Sequence, residues 1–148
     1  MWKKINNVGF CGNWLNRRQW INLIERNKIP VKKDIFVIGD EMVKAINSYK
    51  IHFNRNLSED INFRTFETLG CKTLLITNRT AGLENLFTIG ENIVVYENEK
   101  DLIDKIKFYL DNDKEREKMV EKGYEHVKKN HTYYKRAAQL INIIKENL

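Results

Sequence analysis

The chain has 148 residues, 42% of them hydrophobic, and a formal net charge of +6 at pH 7. This length points to one domain with a sizeable core and is small for a two-domain enzyme, and the composition is that of a globular chain, not a disordered one. No apolar run reaches the roughly 20 residues that cross a bilayer, and the start, MWKKINNVGF, has no apolar signal core, so a soluble, cytoplasmic protein with no membrane span is expected.

NVGFCG, from Asn7 to Gly12, is a short apolar run ending in glycine and reads as a buried first strand. The spacing of Trp20, Ile21 and Ile24 predicts a helix from about Asn16 to Asn27, and Pro30 then breaks the chain. DIFVIGD, from Asp34 to Asp40, reads as a second strand, with Gly39 and Asp40 turning into a helix over EMVKAINSY. KIHFN is a third strand, followed by a polar loop from Arg55 to Asp60. Asp60 or Asn62 is placed to cap the next helix, because a short side-chain oxygen accepts an orphan N–H there. KTLLIT is a fourth strand whose continuous apolar residues fit a strand covered on both faces, and NIVVY is a fifth. From Glu99 the apolar period becomes 3.6, through Leu102, Ile103, Ile106 and Leu110 and later Met119, Val120, Tyr124 and Val127. A last helix from about Thr132 carries Tyr133, Ala137, Leu140, Ile141 and Ile144. Strands alternating with helices predict an α/β fold, a Rossmann-like parallel sheet flanked by helices with extra C-terminal helices. Residues 1–148 read as a single domain with no internal repeat or linker.

In an open parallel sheet, ligands bind beyond the carboxyl ends of the strands. The candidate loops are therefore Gly12 to Arg18, Gly39 and Asp40, Asn54 to Asp60, and Asn78 to Gly82. Glu59 and Glu67 stand in a Glu-x7-Glu spacing within this set. Ionised carboxylates only accept hydrogen bonds, which suits the paired hydroxyls of a ribose or hexose. Their alternative roles are a solvated loop residue for Glu59 and an ion pair with Arg64 for Glu67. Arg64, in a first helical turn, opposes the helix dipole and calls for a phosphate or a carboxylate beside it. The same helix start offers free N–H groups to an anion. Gly82 either lets a ligand approach the backbone or starts the following helix. Cys11 and Cys71 lack a CxxC spacing or clustered histidines and read as reduced structural thiols, so no metal is expected. His52 and His126 read as a strand histidine and a surface histidine; Trp2, Trp14 and Trp20 read as core or interface, with Trp14 also near the first loop. The positive charge suits a nucleotide diphosphate, an acidic membrane or nucleic acid. Basic and acidic residues alternate as on solvated helices, and with no nucleic-acid motif present, no nucleic-acid partner is expected.

The segment from Ile61 to Glu84, INFRTFETLGCKTLLITNRTAGLE, resembles the donor-binding half of a GT-B glycosyltransferase of group 1, in the CgeB-like branch. The similarity continues through GLENLF and HTYYKR and back to FCGNWLNRR. The resemblance implies that the ligand is a nucleotide-diphosphate sugar and the reaction hexosyl transfer. It places Glu59 at the donor sugar, Glu67 at the ribose, and Gly39 and Asp40 near the base. It places Arg64, the loop after Gly12 and one of Arg17 and Arg18 at the diphosphate, with Ala81, Gly82 and Glu84 near the sugar or phosphate. His131, Thr132 and Tyr133 are implied to dock the last helix, with Thr132 as its N-cap. DINFR stands where the family has a GFGLP-like turn. GT-B enzymes generally use protein charges in place of a metal, and this chain has no Asp-x-Asp motif, so no cofactor is implied. The N-terminal acceptor domain of such enzymes finds no room here, so an acceptor-binding domain or subunit is the implied partner. A non-catalytic interaction module derived from a GT-B half is the other class left open.

Overall fold

The computed structural model describes residues 3–148; Trp2 lies outside them. One five-stranded parallel sheet has the order β2-β1-β3-β4-β5. Its strands are β1 (Asn6–Cys11), β2 (Val31–Asp34), β3 (Tyr49–Phe53), β4 (Leu74–Asn78) and β5 (Val94–Tyr96). The helices are α1 (Arg18–Arg26), α2 (Gly39–Ser48), α3 (Phe63–Gly70), α4 (Glu99–Asp111), α5 (Asp113–Asn130) and α6 (Tyr133–Glu146). No helix is long and apolar enough to cross a membrane, among the described residues.

Side chains alternate across a strand, so the run in β4 divides between two cores. Leu74 and Ile76 join Ile21 and Ile24 of α1 and Leu102 and Ile106 of α4. Leu75 faces the opposite way and packs with Leu69 of α3 and Val127 of α5. A smaller cluster of Cys11, Ile46 and Tyr49 lies under α2. Both faces of the sheet are thus covered, as the continuous apolar strands predict. The chain leaves β1 toward β2 on one side and returns to β3 on the other. That reversal opens a crevice beyond the ends of β1 and β3, and it decides where a ligand can enter.

The second strand departs from the sequence reading. It is VKKD, Val31–Asp34, and not Asp34 to Asp40. Pairing with β1 in the register Val8↔Val31 to Cys11↔Asp34 fixes it there, and as an edge strand it buries only Val31. The more apolar FVI segment is a loop in which Phe36 (φ 61°) leaves extended geometry, with Phe36 and Ile38 exposed at 84% and 79%. Main-chain pairing outweighed local hydrophobicity in placing this strand.

Two glycines mark close packing. A Cβ on Gly9 would lie 2.2 Å from the Tyr49 ring, and one on Gly123 would lie 2.8 Å from Leu69 Cδ2 and 2.9 Å from Asn92 O. Thr132 caps α6 by accepting from Lys135 N–H at 3.3 Å. No residue of α6 is buried, and Tyr133, Leu140, Ile141 and Ile144 are exposed on it.

Candidate functional site

A cleft of about 330 Å³ opens beyond the ends of β1 and β3, and its lining includes Gly12, Asn13, Arg17, Asn54, Asn62, Arg64 and Glu67. Four predicted residues, Gly12, Arg17, Arg64 and Glu67, therefore meet in one place. Arg64 Nε donates to Cys11 O at 3.2 Å, and its Nη1 donates to Glu67 Oε2 and contacts Met42 Sδ. Glu67 is thus the carboxylate that offsets an arginine in the first turn of α3. Both side chains are partly exposed, at 22% and 35%, so the pair faces the cleft while braced on its wall.

Arg17 approaches from the other wall. Its Nε and Nη2 donate to Arg55 O at 3.2 and 3.1 Å, and Nη1 donates to Asn13 O at 3.3 Å. Burial lowers its pKa from the ordinary value, and the Arg55 charge lowers it further. Arg55 lies over the Trp20 ring at 4.1 Å and donates to Tyr96 OH at 2.9 Å. A planar guanidinium held by cation–π and hydrogen-bond contacts keeps the loop after β3 in place.

The cleft floor is a network of amides; the sequence places Asn54, Asn56 and Asn78 in candidate loops and Asn62 as a helix cap, but does not join them into one unit. Asn54 and Asn62 exchange side-chain hydrogen bonds, each at 3.3 Å. Asn56 Oδ1 accepts from Asn62 N–H at 3.1 Å, while its Nδ2 reaches Thr80 Oγ1 at 3.1 Å and its backbone N–H donates to Asn78 Oδ1 at 2.8 Å. The one available signal was position, since Asn54 and Asn78 stand at the ends of β3 and β4. Because Asn54 engages the Asn62 side chain, the N-cap residue of α3 makes no capping bond to its own helix. Thr65 N–H donates to Asn62 O at 3.1 Å, and the N–H groups of Phe63 and Arg64 stay open to an anion in the cleft.

Four other predicted residues stand outside the cleft lining. Asp40 is exposed in the first turn of α2. Glu59 is exposed in the loop between β3 and α3. Arg18 lies over the Trp14 ring at 5.4 Å. Gly82, with φ 77°, precedes the 3-10 turn Leu83–Asn85, and nearby Arg79 pairs with Glu97 and Glu84.

His52 is wholly buried beneath the cleft. Its Nε2 accepts from Cys11 N–H at 3.2 Å, and Nδ1 lies 2.6 Å from Thr68 Oγ1. Desolvation, helped by the Arg64 charge, pulls its pKa down to about 3. A second histidine group forms where α5 meets α6: His126 Nε2 and His131 Nε2 both approach Leu86 O, at 2.7 and 3.2 Å. Phe66 and Phe87 pack against this pair, so His126 is half-buried and not a free surface residue.

Residues 3–142 match the family described as glycosyl transferase-like. The chain belongs to that family. No curated protein matches this glycosyl transferase-like chain, but solved structures share its fold. The Anabaena Alr3699/HepE protein in complex with UDP-glucose aligns with a TM-score of 0.77 at 10% identity, over 95% of this chain and 49% of that one. A sucrose-phosphate synthase from Thermosynechococcus elongatus gives 0.69 at 17% identity, over 88% of this chain and 34% of that one. The C-terminal domain of a glycosyl transferase group 1 family protein (LpcC) from Francisella tularensis gives 0.68 at 12% identity, over 88% of each. The fold is that of the GT-B glycosyltransferases, and the glycosyl transferase-like chain spans about a third to a half of the two longer structures.

Proposed function

We propose that this chain is the donor-binding half of a glycosyltransferase of the CgeB-like branch, which seats a nucleotide-diphosphate sugar in the cleft beyond β1 and β3. The observation that carries the reading is the Arg64–Glu67 pair at the open N-terminus of α3, facing Arg17 across the cleft. A diphosphate supplies the anion that the α3 N–H groups and Arg64 select. Glu67 makes its ion pair through Oε2, which leaves Oε1 to accept from ribose hydroxyls. Glu59, Arg18, Asp40 and the turn at Gly82 belong to the sugar, phosphate and base ends of the donor in this reading.

In the transfer, the bond from the anomeric carbon to the diphosphate oxygen breaks, and a bond to an acceptor hydroxyl oxygen forms. The hydroxyl proton leaves to a base of the acceptor half, and negative charge collects on the departing diphosphate. Arg64, Arg17 and the α3 N–H groups oppose that charge without a metal, by electrostatic stabilisation of the leaving group. The acceptor half is a separate domain or subunit in this reading. A cytoplasmic location accords with two free cysteines, and we assign no nucleic-acid partner.

Calorimetric titration of the folded chain with UDP, GDP, UDP-glucose and UDP-GlcNAc tests the proposal. We expect saturable binding of a nucleotide diphosphate, weakened roughly tenfold or more by Glu67→Ala, as for loss of a charged hydrogen-bond acceptor. No binding at millimolar concentration would replace this reading with that of a non-catalytic interaction module.

A further inference from the structure

We propose that His52 is a positioning residue for the nucleotide cleft: one buried imidazole joins β1 to α3 and so sets how Arg64 and Glu67 face the ligand. The inference rests on the donor-binding reading above, but its geometry stands independently.

The pairing of β1 with β3 runs from Asn6↔Tyr49 to Gly9↔His52. Two residues further along β1, Cys11 N–H finds the His52 ring in place of a strand carbonyl, donating to Nε2 at 3.2 Å. An Nε2 that accepts must be unprotonated, so the ring proton sits on Nδ1 and is donated to Thr68 Oγ1 at 2.6 Å. The ring is 0% exposed and Cys11 is 2% exposed, so neither bond is exchangeable for one to solvent. Burial with a low pKa keeps the ring neutral, as an accepting Nε2 requires.

The same Cys11 residue accepts from Arg64 Nε through its carbonyl at 3.2 Å. A closed circuit results: Cys11 N–H to His52, His52 to Thr68, one helical turn back along α3 to Arg64, and Arg64 to Cys11 O. Thr68 follows Glu67 directly and stands four residues after Arg64, so the two anchors lie one turn apart on α3. Two anchors at that spacing fix the rotation of the helix about its axis as well as its distance from β1. A helix free to roll would carry Glu67 away from the cleft, and the open N–H groups of Phe63 and Arg64 with it. Neither His52 nor Thr68 lines the cleft; both act through other residues.

Three measurements test this. In the unliganded wild type, imidazole ¹⁵N shifts should report the Nδ1-protonated tautomer of His52 from pH 5 to 8; an Nε2-protonated ring would overturn the proposal without any variant. Thr68→Val removes the acceptor, while Thr68→Ser keeps it. Thr68→Val should speed solvent exchange of Arg64 Nε–H roughly tenfold and weaken UDP about as much, a loss of order one hydrogen bond, with Thr68→Ser near wild type in both. A Thr68→Val protein with a lowered Tm but unchanged Arg64 exchange would show a purely structural bond and refute the positioning role. Should wild type bind no nucleotide, the donor reading falls, and the tautomer and Arg64 exchange alone decide this proposal.

Discussion

Arg64 spends its guanidinium on three partners at once, the Cys11 carbonyl, the Glu67 carboxylate and the Met42 thioether. Only a planar fork reaches acceptors in such different directions; a lysine ammonium is a single point on a flexible stem. Arg64→Lys therefore keeps the charge and loses the geometry, and titration should show UDP binding weakened by roughly tenfold. Stability should fall by about 1 kcal/mol, chiefly from the lost hydrogen bond to the Cys11 carbonyl, because a partly exposed ion pair contributes about 1 kcal/mol or less. Glu67→Ala belongs to the same class: urea unfolding should move by less than about 1 kcal/mol while affinity falls. An affinity loss that merely tracks a stability loss would argue against a ligand role for either residue. Gly9 is the opposite kind of residue. The Tyr49 ring that a new Cβ would meet is fully buried, and its hydroxyl donates to Asp34, so it has little room to yield. Gly9→Ala should cost about 3 kcal/mol or more, at the upper end for overpacking, read as a drop in the urea midpoint.

Helix α3 is positioned by what packs behind it as much as by its own sequence. It lies against α5 and β4, and α5 comes close because Gly123 offers no side chain toward Leu69 and Asn92. Gly123→Ala would gain helix propensity, up to about 1 kcal/mol, but must displace Leu69 and a backbone carbonyl. We expect net destabilisation of about 1–3 kcal/mol, visible in thermal unfolding; a stabilised variant would mean that α5 shifts freely over α3. The elements themselves were largely legible. Four strands and every helical region follow from period and punctuation, and Thr132 caps α6 as its sequence implies. The second strand was not legible, because an edge strand is fixed by pairing with β1 and Lys32 and Lys33 hide it from any hydrophobic pattern. Within the cleft, the ion pair of Arg64 and Glu67 was legible, since it is one of the roles that their spacing left open. The pairing of Asn54 with Asn62 was not, since an amide pair has no sequence period and becomes a unit only when β3 and α3 are brought together.

At the scale of the molecule, buried neutral groups tie global stability to pH. His52 has its pKa pulled down to about 3 by burial and by Arg64, and burial also lowers that of His131. In the unfolded chain both titrate near 6.5. Between about pH 6.5 and 3 the unfolded state therefore binds more protons than the folded one, and stability falls as pH falls. Above pH 6.5 both rings are neutral in both states, and their contribution is fully present and flat. Lys4, whose pKa is lowered to about 8 by desolvation, is protonated in both states below that value and adds no slope on the acid side. The carboxylates of Asp101, Asp113 and Glu97, all lowered, add their own loss only as pH falls below about 4. His52 alone supplies a loss of order 4 kcal/mol by pH 3, at about 1.4 kcal/mol per unit, a large part of the 5–15 kcal/mol typical of a domain. Urea midpoints should thus be nearly level around pH 7, decline from about 6.5, and steepen below 4. A level profile down to pH 5 would mean that His52 takes up its proton in the folded state, which the Cys11 N–H facing Nε2 opposes.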